Sequence, residues 1–259
     1  MLPLILSAFI FALCLFLIFS EKLNRTITSM AGAVIMVVLG INLHFFTEIQ
    51  AIESIDFNTL GLLLGMMIII AILEPTGFFQ FLAVKMGKFS KGRPARLLVL
   101  LGTVTTVVSM FLDNVTTVVL IAPVTILMCE ILGLNSQPYL MAEALLSDTG
   151  GVATLVGDPP NILVGSAAGF TFSDFLTHSL PIVIVVWFTA LGILFILFRR
   201  ELSVTPSDLE ALAELNPLDA FKDRKTARKA IIVVGAMILL FLFEDFLHIR
   251  PALVALGGA

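Results

Sequence analysis

Two short polar stretches interrupt an otherwise apolar sequence, and both carry residue types suited to holding an ion. One is Ser109-Met-Phe-Leu-Asp113-Asn114-Val-Thr116-Thr117; the other is Gly150-Gly-Val-Ala-Thr154-Leu-Val-Gly157-Asp158-Pro159-Pro160-Asn161. Asp113 and Asp158 supply carboxylates. Ser109, Asn114, Thr116, Thr117, Thr154 and Asn161 supply neutral oxygens, and Gly157 offers bare backbone. A carboxylate at mid-membrane costs at least ~2.5 kcal/mol, so each needs a compensating partner. Two that lie close together cannot both stay ionised without a cation; they are expected to approach one another and either share a proton or bind a metal ion. Asp113, Asn114, Gly157 and Asp158 form a candidate sodium site, with sodium or a proton as coupling ion. No other metal or cofactor is expected. Cys14 and Cys129 lie in apolar runs without a second ligand at zinc spacing, which reads as free, packed thiols. His44, His178 and His248 sit at the edges of apolar runs and receive no role.

The elements that position these residues follow from composition. Hydrophobic residues make up 59% of the 259 positions and charged residues 13%, outside the range of soluble domains. Apolar runs at 2–19, 26–41, 60–73, 97–112, 115–129, 180–198 and 230–243 approach the roughly 20 residues of a bilayer crossing. The expected fold class is therefore all-α, a polytopic membrane helix bundle. Aspartate is a preferred N-cap and proline suits the first helical turn, so Asp158-Pro159-Pro160 predicts a helix that restarts inside the membrane, with Gly157 ending the half-helix before it. Asp113-Asn114 predicts a cap for a helix beginning near Val115. Residues 97–132 then form a re-entrant hairpin and residues 139–170 a broken helix, tolerable at depth only where the bared backbone lines a cavity or binds something. The plain alternative is that both aspartates cap loops at the membrane surface. Glu143 and Asp148, in the same broken helix, either line the path or lie near its cytoplasmic end. Gly61-xxx-Gly65 and Gly165-xxx-Gly169 read as helix packing faces.

Charge sets the orientation. All Lys and Arg residues except Arg250 fall in three clusters, at 22–25, 85–96 and 199–229, and the positive-inside bias places these in the cytoplasm with the N-terminus outside. Single cysteines at Glu53 and Lys88 are expected to label from opposite faces. Pro75 ends the third helix, residues 76–91 read as an arm helix in the cytoplasmic interface, and residues 180–198 as a further helix. No signal peptide is expected. Residues 1–200 form one transporter repeat and residues 201–229 a cytoplasmic linker, with a capping box at Ser207 to Glu210 and a stop at Asn216-Pro217. Residues 250–259 echo residues 24–33 with Gly-Ala at the same place, which marks residues 230–259 as the start of a second, inverted repeat. That repeat is expected to be incomplete, the chain truncated, and the 259 residues alone unable to transport.

Taken together, Phe-Leu-Asp-Asn-Val-Thr-Thr, the following Ala-Pro-Val-Thr and Gly-Gly-Val-Ala-Thr-Leu-Val-Gly-Asp-Pro-Pro-Asn resemble the ion transporter superfamily. The likeness is to its arsenite permease and sodium/proton antiporter branch, which includes the melanosomal P protein and carries a citrate-transporter-like domain. It is densest from Ser109 to Val164. It implies that the hairpin tip, Asp113 to Thr117, meets the break of the fifth helix, Gly157 to Asn161. In the related dicarboxylate symporters the tip carries Ser-Asn-Thr and helps bind sodium and substrate. Here Asp113 stands at the serine position and Val115 at the threonine position; this departs from a symporter-type site, and a carboxylate there can exchange a proton.

The function expected is ion-coupled secondary transport of an inorganic ion or small anion: arsenite efflux, sodium/proton exchange or carboxylate transport. An ion channel and a non-transporting scaffold are the alternatives; an enzyme is not expected, because no nucleophile, base and orienting group share a recognisable spacing. The expected partners are the lipid bilayer, the transported ion or anion, and a second copy of the chain in a homodimer, with no nucleic acid. The expected location is a prokaryotic inner (plasma) membrane.

Overall fold

A computed structural model describes residues 2–206, 209–247 and 249–259, so His248 and the Ser207 end of the anticipated capping box lie outside the described residues. The protein is an all-α helix bundle, and no strand occurs among the described residues. It divides into two compact units, residues 1–57 and 58–259.

The first unit holds α1 (Leu2–Phe19), α2 (Arg25–Asn42) and α3 (Glu48–Glu53). Asn24 starts α2 by accepting the Thr26 amide at 2.9 Å. Thr47 and Gln50 close a full capping box on α3. Helices α1 and α2 approach where Gly32 faces Cys14: a methyl group on Gly32 would stand 2.2 Å from the Cys14 sulfur. Between helices in lipid, hydrophobicity gives no drive to associate, so contacts of this kind, where a missing side chain lets helices touch, carry the packing.

The second unit begins with α4 (Phe57–Leu73), then a 3-10 turn at Glu74–Thr76 and α5 (Phe78–Ser90). Pro75 breaks the helical pattern and Gly77 reverses the chain at φ +80°; a Cβ there would lie 1.9 Å from the Ala220 carbonyl oxygen. The hairpin is α6 (Pro94–Ser109) and α7 (Asn114–Leu132). Next come α8 (Gln137–Gly151) and α9 (Pro159–Ala168), separated by a bent segment, and α10 (Phe172–Leu197). After a 3-10 turn at Glu201–Ser203 follow α11 (Leu209–Glu214), a second turn at Pro217–Ala220, α12 (Arg224–Leu242), α13 (Glu244–Leu247) and α14 (Pro251–Gly258).

Several boundaries differ from the expectation. Helix α10 begins at Phe172, well before residue 180, because Thr171 and Asp174 form a capping box that outweighs the internal Pro181. Arg224 to Lys229 are not linker but the first turns of α12, capped by Asp223. Of the paired glycines, Gly61 and Gly65 do pack, against Ala252, Leu256 and Ala255 of α14. Gly165 packs on Leu155, whereas Gly169 touches nothing and is instead the left-handed C-cap of α9 at φ +70°. The linker folds onto α5: Lys88 Nζ donates to the Leu215 carbonyl at 2.7 Å, the Lys222 amide to Thr76 O at 2.9 Å, and Phe221 stacks on Phe81.

The largest buried core among the described residues joins α6, α7, α8 and α10 through Leu97, Leu101, Ile121, Met128, Leu146 and Leu194. Outward-facing positions are equally apolar: Val185, Phe188 and Ile196 of α10 are 65%, 64% and 76% exposed. Such a surface fits lipid and not water. Arg25–Asn42, Phe57–Thr76, Asn114–Leu132 and Phe172–Leu197 are long and apolar enough to cross a membrane. The 16-residue α6 rises about 24 Å, short of a hydrocarbon core of about 30 Å.

Candidate functional site

Each polar stretch becomes a gap between two helix ends, and the two gaps pack together. In the hairpin tip, Asp113 is the N-cap of α7 and accepts the Thr116 amide at 2.9 Å. The Thr117 amide donates to the Asp113 carbonyl at 3.0 Å. Asn114, the first residue of α7, donates its side-chain amide to Asp148 Oδ1. The Thr117 hydroxyl is fully buried and has no partner.

In the second gap, α8 ends at Gly151, not at Gly157 as anticipated, because the Gly150-Gly151 pair has the lower helix propensity. Gly157 serves a different end. A Cβ on it would lie 2.5 Å from Gly151 O, 2.9 Å from Ser109 O and 3.0 Å from Met110 O, so carbonyls of both gaps crowd onto one bare backbone position. Gly150 is equally close to α6, with its Cβ position 2.3 Å from Thr106 O.

Side chains stitch this junction. Ser109 Oγ donates to Ser147 O at 2.7 Å, and the Thr154 hydroxyl donates to Met110 O while accepting the Gly157 amide at 3.1 Å. Asn161 Nδ2 donates to both Gly151 O and Thr154 O at 2.9 Å, tying the start of α9 back to the end of α8. Asp158 occupies the N-cap position of α9, as anticipated, but its side chain makes no capping bond. Pro160 leaves no amide at the second helical position, and the Asn161 amide donates to the Asp158 carbonyl at 3.0 Å instead. The Asp158 carboxylate lies within electrostatic reach of Asp148 and Asp113.

The tip and the break therefore bring Ser109, Asp113, Asn114, Thr154, Gly157, Asp158 and Asn161 into one junction. Thr116 enters it through its capped amide. Asp148 was not singled out as a site residue. It lies one turn before the Gly150-Gly151 end of α8, which was the available signal, while its partner Asn114 is 34 residues away. Among the described residues, no three His, Cys, Asp or Glu side chains converge tightly enough to hold a metal by themselves. A sodium ion here would need carbonyl and hydroxyl oxygens to complete its shell. From Leu97 to Phe198 the sequence contains no Lys or Arg. Arg96, in the first turn of α6 and at the opposite end of that helix from the tip, is the one basic residue in the helices that build the junction.

The citrate transporter family profile matches residues 15–259. The chain is 42% identical over 255 residues to a 46 kDa membrane protein of Mycobacterium leprae, covering 98% of this chain and 59% of that one. It is 43% identical over 245 residues to an uncharacterized transporter of Mycobacterium tuberculosis, covering 94% and 56%. It is also 39% identical over 212 residues to the human P protein, covering 78% of this chain and 25% of that protein. The chain thus spans between half and two thirds of the length of its mycobacterial relatives. With an apolar exterior, several membrane-length helices and a family match running from residue 15 to the last, the chain is an integral membrane protein and belongs to the citrate transporter family of membrane transporters.

Proposed function

We propose that this chain supplies the hairpin and broken helix of an ion-coupled secondary transporter, and that the junction of α6–α7 with α8–α9 holds the coupling cation, sodium or a proton. The single observation that carries the reading is the packing of the hairpin tip on the helix break, where Gly157 lies against the Ser109 and Met110 carbonyls and Asn114 bonds Asp148, which gathers Asp113, Asp148 and Asp158 in a stretch, Leu97 to Phe198, without Lys or Arg. Nearby charges of one sign favour neutralisation by a proton or a cation. The C-terminal carbonyls of α6 and α8 add partial negative charge to the same place. The cargo is an inorganic ion or small anion, with arsenite, sodium against protons, and carboxylates such as citrate as candidates.

The break divides residues 137–168 near their middle, and the tip lies against it. This supports a hairpin that enters the membrane part-way, with its base on the basic, cytoplasmic side. A prokaryotic plasma membrane with the N-terminus outside fits the charge clusters. The test is uptake and efflux of arsenite, citrate, sodium and protons by proteoliposomes holding the complete protein that carries these residues. Gradient-driven flux of at least one of these, dependent on sodium or on a pH gradient, is expected. Flux of none, or channel-like flux insensitive to both, would contradict the reading.

A further inference from the structure

One acidic side chain stands apart from the junction. Glu143 lies inside α8, fully buried at 0% exposure. Its Oε1 accepts the Thr125 hydroxyl of α7, while Oε2 is buried without any hydrogen-bond partner. Two further buried hydroxyls lack partners, Thr105 on α6 and Thr117 on α7. These positions follow helical spacing toward the junction. Glu143 is one turn before Ser147, which accepts from Ser109; Thr105 is one turn before Ser109; and Thr125 and Thr117 share one face of α7, two turns apart. The three helices thus share a buried polar seam that runs from Glu143 to the hairpin tip.

The groups facing Glu143 leave its charge uncompensated. Cys129 of α7 and Tyr139 of α8 are buried in the same core, and the Tyr139 hydroxyl donates to Pro94 O at 3.4 Å. The other ionisable groups of α6 and α7, Arg96, Glu130 and Asp113, are exposed or at the tip, and Asp148 of α8 is exposed. Helix α10 offers only Asp174 and His178, at its far end. On α5, Lys85 is exposed and Lys88 is engaged with Leu215. Water cannot solvate a carboxylate in such a place, and a carboxyl group without a counter-charge there is stable only with a proton bound.

We propose that Glu143 is a proton-binding site of the transport cycle, separate from the cation site at the hairpin tip. In each cycle its carboxylate takes one proton from water on Oε2, becoming neutral, and returns that proton to water when the seam opens. The seam of Thr105, Thr117 and Ser109 links it to the tip. Its place in a cycle rests on the transporter reading above; its proton exchange does not.

The two are tested separately. Infrared difference spectra of the complete protein in phosphatidylcholine vesicles, titrated from about pH 5 to 9, should show a carboxylic acid C=O band that disappears as pH rises and is absent in Glu143→Gln. Carboxyl-13C glutamate labelling assigns the same band in the unmutated protein should the variant fail to fold. In proteoliposomes loaded with arsenite, citrate or sodium, Glu143→Gln should keep flux down the solute gradient while stimulation by a pH gradient falls at least tenfold. A band that is absent, or unchanged over that range, overturns the proton site. A titrating band with undiminished pH-driven flux in Glu143→Gln overturns its place in the cycle. If the unmutated protein moves none of these solutes, the transporter reading fails while the infrared result still decides proton binding.

Discussion

At the scale of single residues, the junction depends on what Gly157 lacks. Its nearest neighbours are backbone carbonyls of three residues, which cannot rotate away as a side chain would. Gly157→Ala is therefore expected to lower stability by about 1–3 kcal/mol, the usual cost of overpacking, and to separate the tip from the break. Thermal unfolding in detergent checks this; a melting temperature equal to that of the parent would show that the tip and the break do not touch. Asp158 was legible in part. Its position before Pro159-Pro160 gave the helix start, since capping is a local rule, but its carboxylate makes no capping bond there. Asp148 and Glu143 were less legible, because what defines them, Asn114 and Thr125, comes from another helix.

At the scale of elements, helix starts carry the local chemistry. Asp223 caps α12, and its hydrogen bonds to the Thr226 hydroxyl and amide and to the Lys225 amide hold its carboxyl below the usual aspartate range. A depressed folded-state value means the cap stabilises the fold above the unfolded-state value, about 3.9, and loses that contribution as pH falls through the folded-state value. Asp223→Ala is expected to melt slightly below the parent at pH 7, with the gap closing below about pH 4. A gap that stays constant with pH would count against the cap. The starts of α10 and α12 were misjudged from apolar runs alone, because Thr171–Asp174 and Asp223 extend each helix into polar sequence that hydropathy assigns to loops. The docking of the linker on α5 was not legible either: Lys88 and Leu215 are 127 residues apart.

At the scale of the whole molecule, charge clusters and an internal echo organise the account. Gly32 and Gly258 hold the same place in the two echoing stretches. Each meets a sulfur of an earlier helix, Cys14 in one case and Met237 in the other. That likeness supports two copies of one helix-pair unit, as inverted-repeat transporters contain. Single cysteines at Glu53 and at Lys85, which is more exposed than Lys88, should react with an impermeant thiol reagent from opposite faces of sealed vesicles. Labelling of both from one face would reverse the topology.

Asp158 and Asp113 are proposed to share a cation or proton that neutralises them and is coupled to transport. Asn nearly matches the shape of Asp and can still cap α7 at position 113, while the Asp158 side chain makes no capping bond to lose, so Asp158→Asn and Asp113→Asn in the complete protein should insert and fold normally. The measurement is solute flux by each variant in proteoliposomes as a function of internal and external pH. Each is expected to lose coupled transport at least tenfold and to show an altered pH profile. Coupled flux and a pH profile equal to the parent in both variants would contradict the claim.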